Sequence, residues 1–97
     1  MYAFVGVWNL DPASRREQGQ ALLELIIPSV RSHPGFVAGY WMRDPESGMG
    51  HTTIVLDSEP SARAFKEIVL SNTQSQARAG ITNDSLAVVE MLGQAQR

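Results

Sequence analysis

Three of the four stretches that read as β-strands are apolar on both faces, which no single layer of helices can satisfy. Residues 2–9, YAFVGVWN, put Tyr2, Phe4 and Trp8 on one face and Ala3, Val5 and Val7 on the other. Residues 36–44 set Phe36, Tyr40 and Met42 against Val37 and Trp41, and residues 85–92 set Leu86, Val88 and Leu92 against Ala87, Val89 and Met91. A sheet with helices on one side and water on the other alternates apolar with polar residues instead. Left bare, the second face would expose more contiguous aromatic surface than soluble monomers carry. The pattern predicts a homodimer packed through one sheet face, with Phe4 in the interface because its face is the more aromatic. A terminal tail or the first strand folded over that face is the alternative cover.

The rest of the chain supplies the helices. After Asp11-Pro12, with Asp11 or Ser14 as a cap, Leu22, Leu23, Ile26, Ile27 and Val30 recur at the spacing of one helical face over 13–31. Pro28 lacks the amide that would bond to Glu24, so a kink or a tightened last turn is expected there. His33-Pro34-Gly35 ends the element. The 45–50 segment, Pro-Glu-Ser-Gly-Met-Gly, joins 36–44 to the strand HTTIVLD at 51–57 as an antiparallel hairpin. Ser58-Glu59-Pro60 opens a second helix, with Ala62, Phe65, Ile68 and Val69 on its apolar face, a solvated or frayed polar run over 71–76, and Gly80 as its stop. The order is β-α-β-β-α-β: a ferredoxin-like α+β sandwich of four antiparallel strands with two helices on one face, in one domain spanning 1–97.

Composition removes several function classes. Of the 97 residues, 43% are apolar and 19% charged, a balance suited to a packed core. Eight basic and ten acidic side chains leave a net charge of −2, so no basic footprint for nucleic acid is present. No apolar run is long enough to span a bilayer, and the N-terminus lacks a signal-peptide pattern, so a cytoplasmic, membrane-free protein is expected. Without cysteine there is no thiol nucleophile or thiolate metal site. His33 and His51 have no carboxylate at ligand spacing, so no metal is expected. Neither a phosphate-binding glycine loop nor a nucleophile elbow is present.

Specific motifs carry a resemblance. The lead-in Pro34-Gly35-Phe36, the strand centre Gly39-Tyr40-Trp41, the hairpin start Arg43-Asp44-Pro45 and the junction from Val55 to Ala62 (VLDSEPSA) mark turns and helix starts. Together with the element order, over about residues 3–92, they resemble the dimeric α+β barrel superfamily and within it the antibiotic-biosynthesis-monooxygenase-like group. The resemblance implies two ferredoxin-like subunits closed into a barrel, each with a cleft between sheet and helices. In that group some members oxygenate electron-rich polycyclic aromatics with dioxygen alone, and others degrade haem. The haem degraders carry an asparagine in strand one, a tryptophan at the end of strand three and a histidine in helix two. Val7, Leu56 or Asp57, and the histidine-free run 71–76 stand at those places here, which disfavours haem.

Cofactor-free oxygenation needs an acidic phenol or enol in an apolar pocket, with donors or a base that stabilise its anion. Trp8, Tyr40 and Trp41 could wall such a ligand. Asn9, Arg43 and His51 lie at strand ends where they could converge on an oxygen, Arg43 and His51 facing each other across the hairpin. Glu90, on the face of Val88 and Leu92, is a further acid-base candidate if partly buried. The expected function is a cofactor-independent monooxygenase-like protein for a small aromatic or quinol-type molecule. A non-catalytic homodimeric ligand-binding or assembly domain is the alternative, in which Trp8 and Trp41 are core or interface and Arg43 pairs with a nearby acid.

Overall fold

The structure, a computed structural model, describes all 97 residues. The elements are β1 (Tyr2–Leu10), a 3-10 turn (Pro12–Ser14), α1 (Arg15–Ala21), a π-helical turn (Leu22–Ile26) and α2 (Ile27–Arg31). They continue with β2 (Phe36–Arg43), β3 (Gly50–Leu56), α3 (Glu59–Ser71), α4 (Thr73–Arg78) and β4 (Ile81–Glu90). The strands form one antiparallel sheet in the order β2-β3-β1-β4, and the helices pack on one face of it. This is the ferredoxin-like arrangement that the element order implies. No helix is long and apolar enough to cross a membrane.

The turns follow from their residues. The Asp11 carboxylate accepts the Ala13 amide at 3.0 Å, and Ser58 Oγ accepts the Ser61 amide at 3.3 Å, capping the segments they precede. Gly80, at φ 74°, ends α4 in the left-handed conformation that only glycine adopts without strain, and its carbonyl accepts the Asp11 amide at 2.8 Å. Pro28 acts differently from the expected tightening. The turn before it widens, and the Ile27 amide donates to the Leu22 carbonyl five residues back. The widening relieves the clash of the proline ring with the Glu24 carbonyl, and Pro28 then sits in the first turn of α2, where an amide is dispensable.

Two bulges interrupt the sheet, and the first corrects an expected strand face. Opposite β3, Phe36 pairs with Leu56 and Ala38 with Val55, so Val37 is the extra residue. Phe36 therefore shares the helix side with Trp41, while Tyr40 and Met42 turn to the other face. Opposite β1, Asn83 pairs with Trp8 and Ser85 with Val7, so Asp84 is extra, and the Asn83 amide ties the bulge to the Val7 and Ser85 carbonyls at 3.2 and 3.0 Å. β4 begins at Ile81 rather than 85 because Thr82, Asn83 and Asp84 lie on an exposed edge strand, where nothing selects an apolar alternation.

Phe4, Ile54 and Leu56 are the fully buried large side chains, and they face the helices. The Phe4 ring meets Phe65 of α3 edge-on, with centroids 5.0 Å apart and planes at 76°. This overturns the expectation that Phe4 is an interface residue: its face is the more aromatic because it holds the monomer's own core. The opposite face carries Val5, Val7, Val55, Ala87, Val89, Tyr40 and Met42, and there Tyr40 is 56% exposed. Phe4→Ala should accordingly lower unfolding stability by about 3–5 kcal/mol through the cavity it leaves. Denaturant titration checks this, and a loss under about 1 kcal/mol would contradict the packing.

Candidate functional site

A cleft of about 580 Å³ lies between the sheet and the helices. Its floor is made by two tryptophans that fold back along their own strands over glycine. A Cβ on Gly6 would stand 2.8 Å from Trp8 Nε1, and one on Gly39 would stand 2.9 Å from the Trp41 ring. Only residues without side chains allow the indoles to lie this close to the sheet. Thr52, the β3 partner of both Gly6 and Trp41, stands between them. Its Oγ1 accepts the Trp8 indole N–H at 3.1 Å, a buried bond that fixes the ring. Ile54 and Phe4 deepen the floor; Leu22, Ile26 and Val30 wall one side, and Phe65, Ile68 and Val69 the other. The lining contains no carboxylate, and its formally charged side chain is Arg43.

A smaller cavity of about 260 Å³ adjoins one end, lined by Asn9, Asp11, Arg15, Arg43 and the hairpin residues 47–49. Leu10, Gln18 and Arg43 line both cavities and form the neck between them. Arg43 is exposed and makes no ion pair; the salt bridge of the chain is Arg63 with Glu59 on α3, at 3.6 Å. Asp44, next to Arg43, is engaged in its own turn, its Oδ1 accepting the Glu46 amide at 2.9 Å. That bond, with help from Ser47, holds its carboxyl below the ordinary aspartate range.

The sequence-derived candidates divide between the two faces. Trp8, Trp41 and Arg43 border the large cleft, whereas Asn9 lines the small cavity but follows Trp8 by one residue in β1, which turns its side chain to the far face. His51 does not join Arg43. The hairpin pairs His51 with Met42 and Arg43 with Gly50, and this one-residue offset sends the two side chains to opposite faces. His51 is exposed and touches the cleft at its edge. Tyr40 is likewise on the far face, so it does not wall the cleft with the tryptophans. Glu90 is exposed at the end of β4, not partly buried. His33 Nε2 lies 3.3 Å from the Ser61 carbonyl oxygen, and its ring packs on Phe65 at 5.2 Å. Thr52 and Gln18 are site residues without a sequence signal: one is a threonine in a strand, the other a polar residue in a polar helical turn.

No protein-family model and no curated protein matches the sequence. Solved structures do. A candidate antibiotic biosynthesis monooxygenase from Deinococcus radiodurans superimposes with a TM-score of 0.77 at 16% identity, over 100% of this chain and 97% of that one. The chain has the antibiotic biosynthesis monooxygenase fold. Two further proteins of this fold match as well. The ActVA-Orf6 monooxygenase of Streptomyces coelicolor, in complex with nanaomycin D, matches with a TM-score of 0.67 at 13% identity, over 99% and 89% of the two chains. The haem degrader MhuD of Mycobacterium tuberculosis, with two haems in its active site, matches with a TM-score of 0.76 at 13% identity, over 99% and 100%.

The residues here do not suit an axially ligated haem. The cleft-lining positions of α3 and α4, from Phe65 to Ala79, include no histidine, His33 is turned toward Ser61 and Phe65, and His51, at the cleft edge, directs its side chain to the far face. No group of three histidine, cysteine or carboxylate side chains is placed to hold a metal ion.

The floor geometry is testable. Gly6→Ala should displace the Trp8 ring, break its bond to Thr52 and cost about 1–3 kcal/mol of stability. A red-shifted tryptophan emission with a lowered unfolding midpoint is the expected result. An unchanged spectrum and midpoint would mean that Trp8 does not rest on Gly6.

Proposed function

We propose that this protein is a cofactor-independent monooxygenase-like enzyme for a small aromatic or quinol-type molecule bound in the large cleft. The observation that carries this is the cleft itself: an apolar, tryptophan-floored space with an unpaired guanidinium at its neck and no carboxylate in its lining. A flat ring lies against Trp8 and Trp41, and the ring oxygen is directed to Arg43. The guanidinium stays charged at every working pH and presents a fixed fork of donors to a phenolate or enolate. In this reaction a phenol and dioxygen give a quinone and water: one oxygen atom enters the ring carbon, the other leaves as water, and the substrate supplies all four electrons. His51 and Tyr40 have no part in it, because their side chains belong to the far face of the sheet.

We also propose that two copies pair through the apolar sheet face. Tyr40, Met42 and Val89 are its most exposed members, and pairing would remove them and His51 from water. Tyr40→Glu should yield monomers, since a lone buried carboxylate opposes assembly. Light scattering reads this directly, and a Tyr40→Glu dimer would place the contact elsewhere.

Removing Arg43 tests the chemistry. With hydroxynaphthalenes as substrates, Arg43→Ala should slow oxygen uptake roughly 10–100-fold while weakening binding less, because the oxyanion develops along the reaction. Equal uptake by both proteins would remove Arg43 from the mechanism. Binding without any uptake by the unmodified protein would favour a non-catalytic ligand-binding dimer.

A further inference from the structure

Beside Arg43, the neck between the cavities contains a buried polar side chain whose hydrogen bonding is incomplete. Gln18 of α1 is 6% exposed. Its Nε2 donates to the Asp11 carbonyl at 3.0 Å and to the Gly80 carbonyl at 3.3 Å. Both partners are carbonyl oxygens, so the nitrogen must face them, and the amide cannot be flipped without placing oxygen against oxygen. Both amide protons are thereby engaged. Oε1 makes no hydrogen bond within the chain. No side-chain nitrogen or oxygen in the protein is both fully buried and unpartnered, so Oε1 opens onto accessible space. Gln18 lines both cavities.

We infer that Gln18 Oε1 is a fixed acceptor for a ligand O–H, which makes the site select hydroxyl-bearing aromatics over their ethers and over carbonyl compounds such as quinones. This rests on the large cleft being an aromatic-binding site and adds which functional group the site reads. A hydroxyl offers one proton and two lone pairs. At the neck Gln18 takes the proton while Arg43 can donate to the oxygen. An ether or a quinone oxygen can accept from Arg43 but gives nothing to Gln18, and it leaves a desolvated acceptor unpaired. The two residues then divide the work: Gln18 recognises the resting, protonated ligand, and Arg43 favours the anion that follows. A quinone product, having lost that proton, would bind less tightly than its precursor, which favours its release.

The experiment compares 2-naphthol, 2-methoxynaphthalene and 2-ethylnaphthalene by quenching of Trp8 and Trp41 fluorescence, at neutral pH where the naphthol is protonated. The naphthol should bind about ten-fold more tightly than either of the others. Gln18→Met should reduce that preference to about two-fold or less while leaving 2-ethylnaphthalene affinity within a factor of a few. The variant should fold, because the Asp11 carbonyl keeps the Ser14 amide at 3.0 Å and the Gly80 carbonyl keeps the Asp11 amide at 2.8 Å. Its thermal melt verifies this, and the three-probe comparison on the unmodified protein tests the preference independently of any variant. Equal binding of all three probes overturns the role of Gln18 and leaves the cleft reading intact. A preference that survives in a folded Gln18→Met also overturns it. Binding of none of the probes overturns the cleft reading and this inference with it.

Discussion

The Trp8 indole resting on Gly6 and bonded to Thr52 is the contact on which the cleft depends. A tryptophan standing upright on β1 would run into the helices and fill the space between the layers. Laid along its strand, it becomes the floor. Three conditions make this possible: no side chain on Gly6, a hydroxyl on the neighbouring strand to receive the indole proton, and a helix-side row that places both together. Trp41 repeats the device over Gly39 on the edge strand, though without a comparable bond to anchor it. The result is a flat apolar surface, with Arg43 and Gln18 at the end of the sheet.

That end is organised by carbonyls already in use. The Gly80 carbonyl accepts from both the Asp11 amide and Gln18, so the turn before β4, the end of β1 and helix α1 are tied at one point. The π-helical turn ahead of Pro28 lies along the same cleft wall and brings Leu22, Leu25 and Ile26 to the lining. Such turns are common at functional sites because they change side-chain direction without ending the helix.

A shared fold does not transfer a reaction. Proteins of this architecture include a monooxygenase in complex with nanaomycin D and a haem degrader with two haems in its active site. Here two tryptophans form the floor, one arginine marks the neck, and the helix wall lacks histidine.

Periodicity and turn residues determined the fold. Apolar spacing of three and four placed the helices, β-branched and aromatic runs placed the strands, and Asp11, Ser58 and Gly80 marked boundaries that the structure keeps. The two-sided apolar strands correctly indicated a second apolar face. Which residues occupy which face was decided only in three dimensions. Strand side chains alternate with a period of two, so the single extra residue at Val37 puts Phe36 and Tyr40 on opposite faces. The one-residue offset between Arg43 and His51 separated two candidates that linear spacing placed together. An aromatic strand face reads as an interface for Phe4, whereas in the fold it is the face on which the helices pack. Gln18 and Thr52 were invisible for a related reason: a polar residue acquires a role in a site through its partners, and theirs are Asp11 and Gly80 for one and Trp8 for the other. Local propensity is written in neighbouring residues, but register, facing and hydrogen-bond partnership are set by contacts distant in sequence, and only the folded chain fixes those.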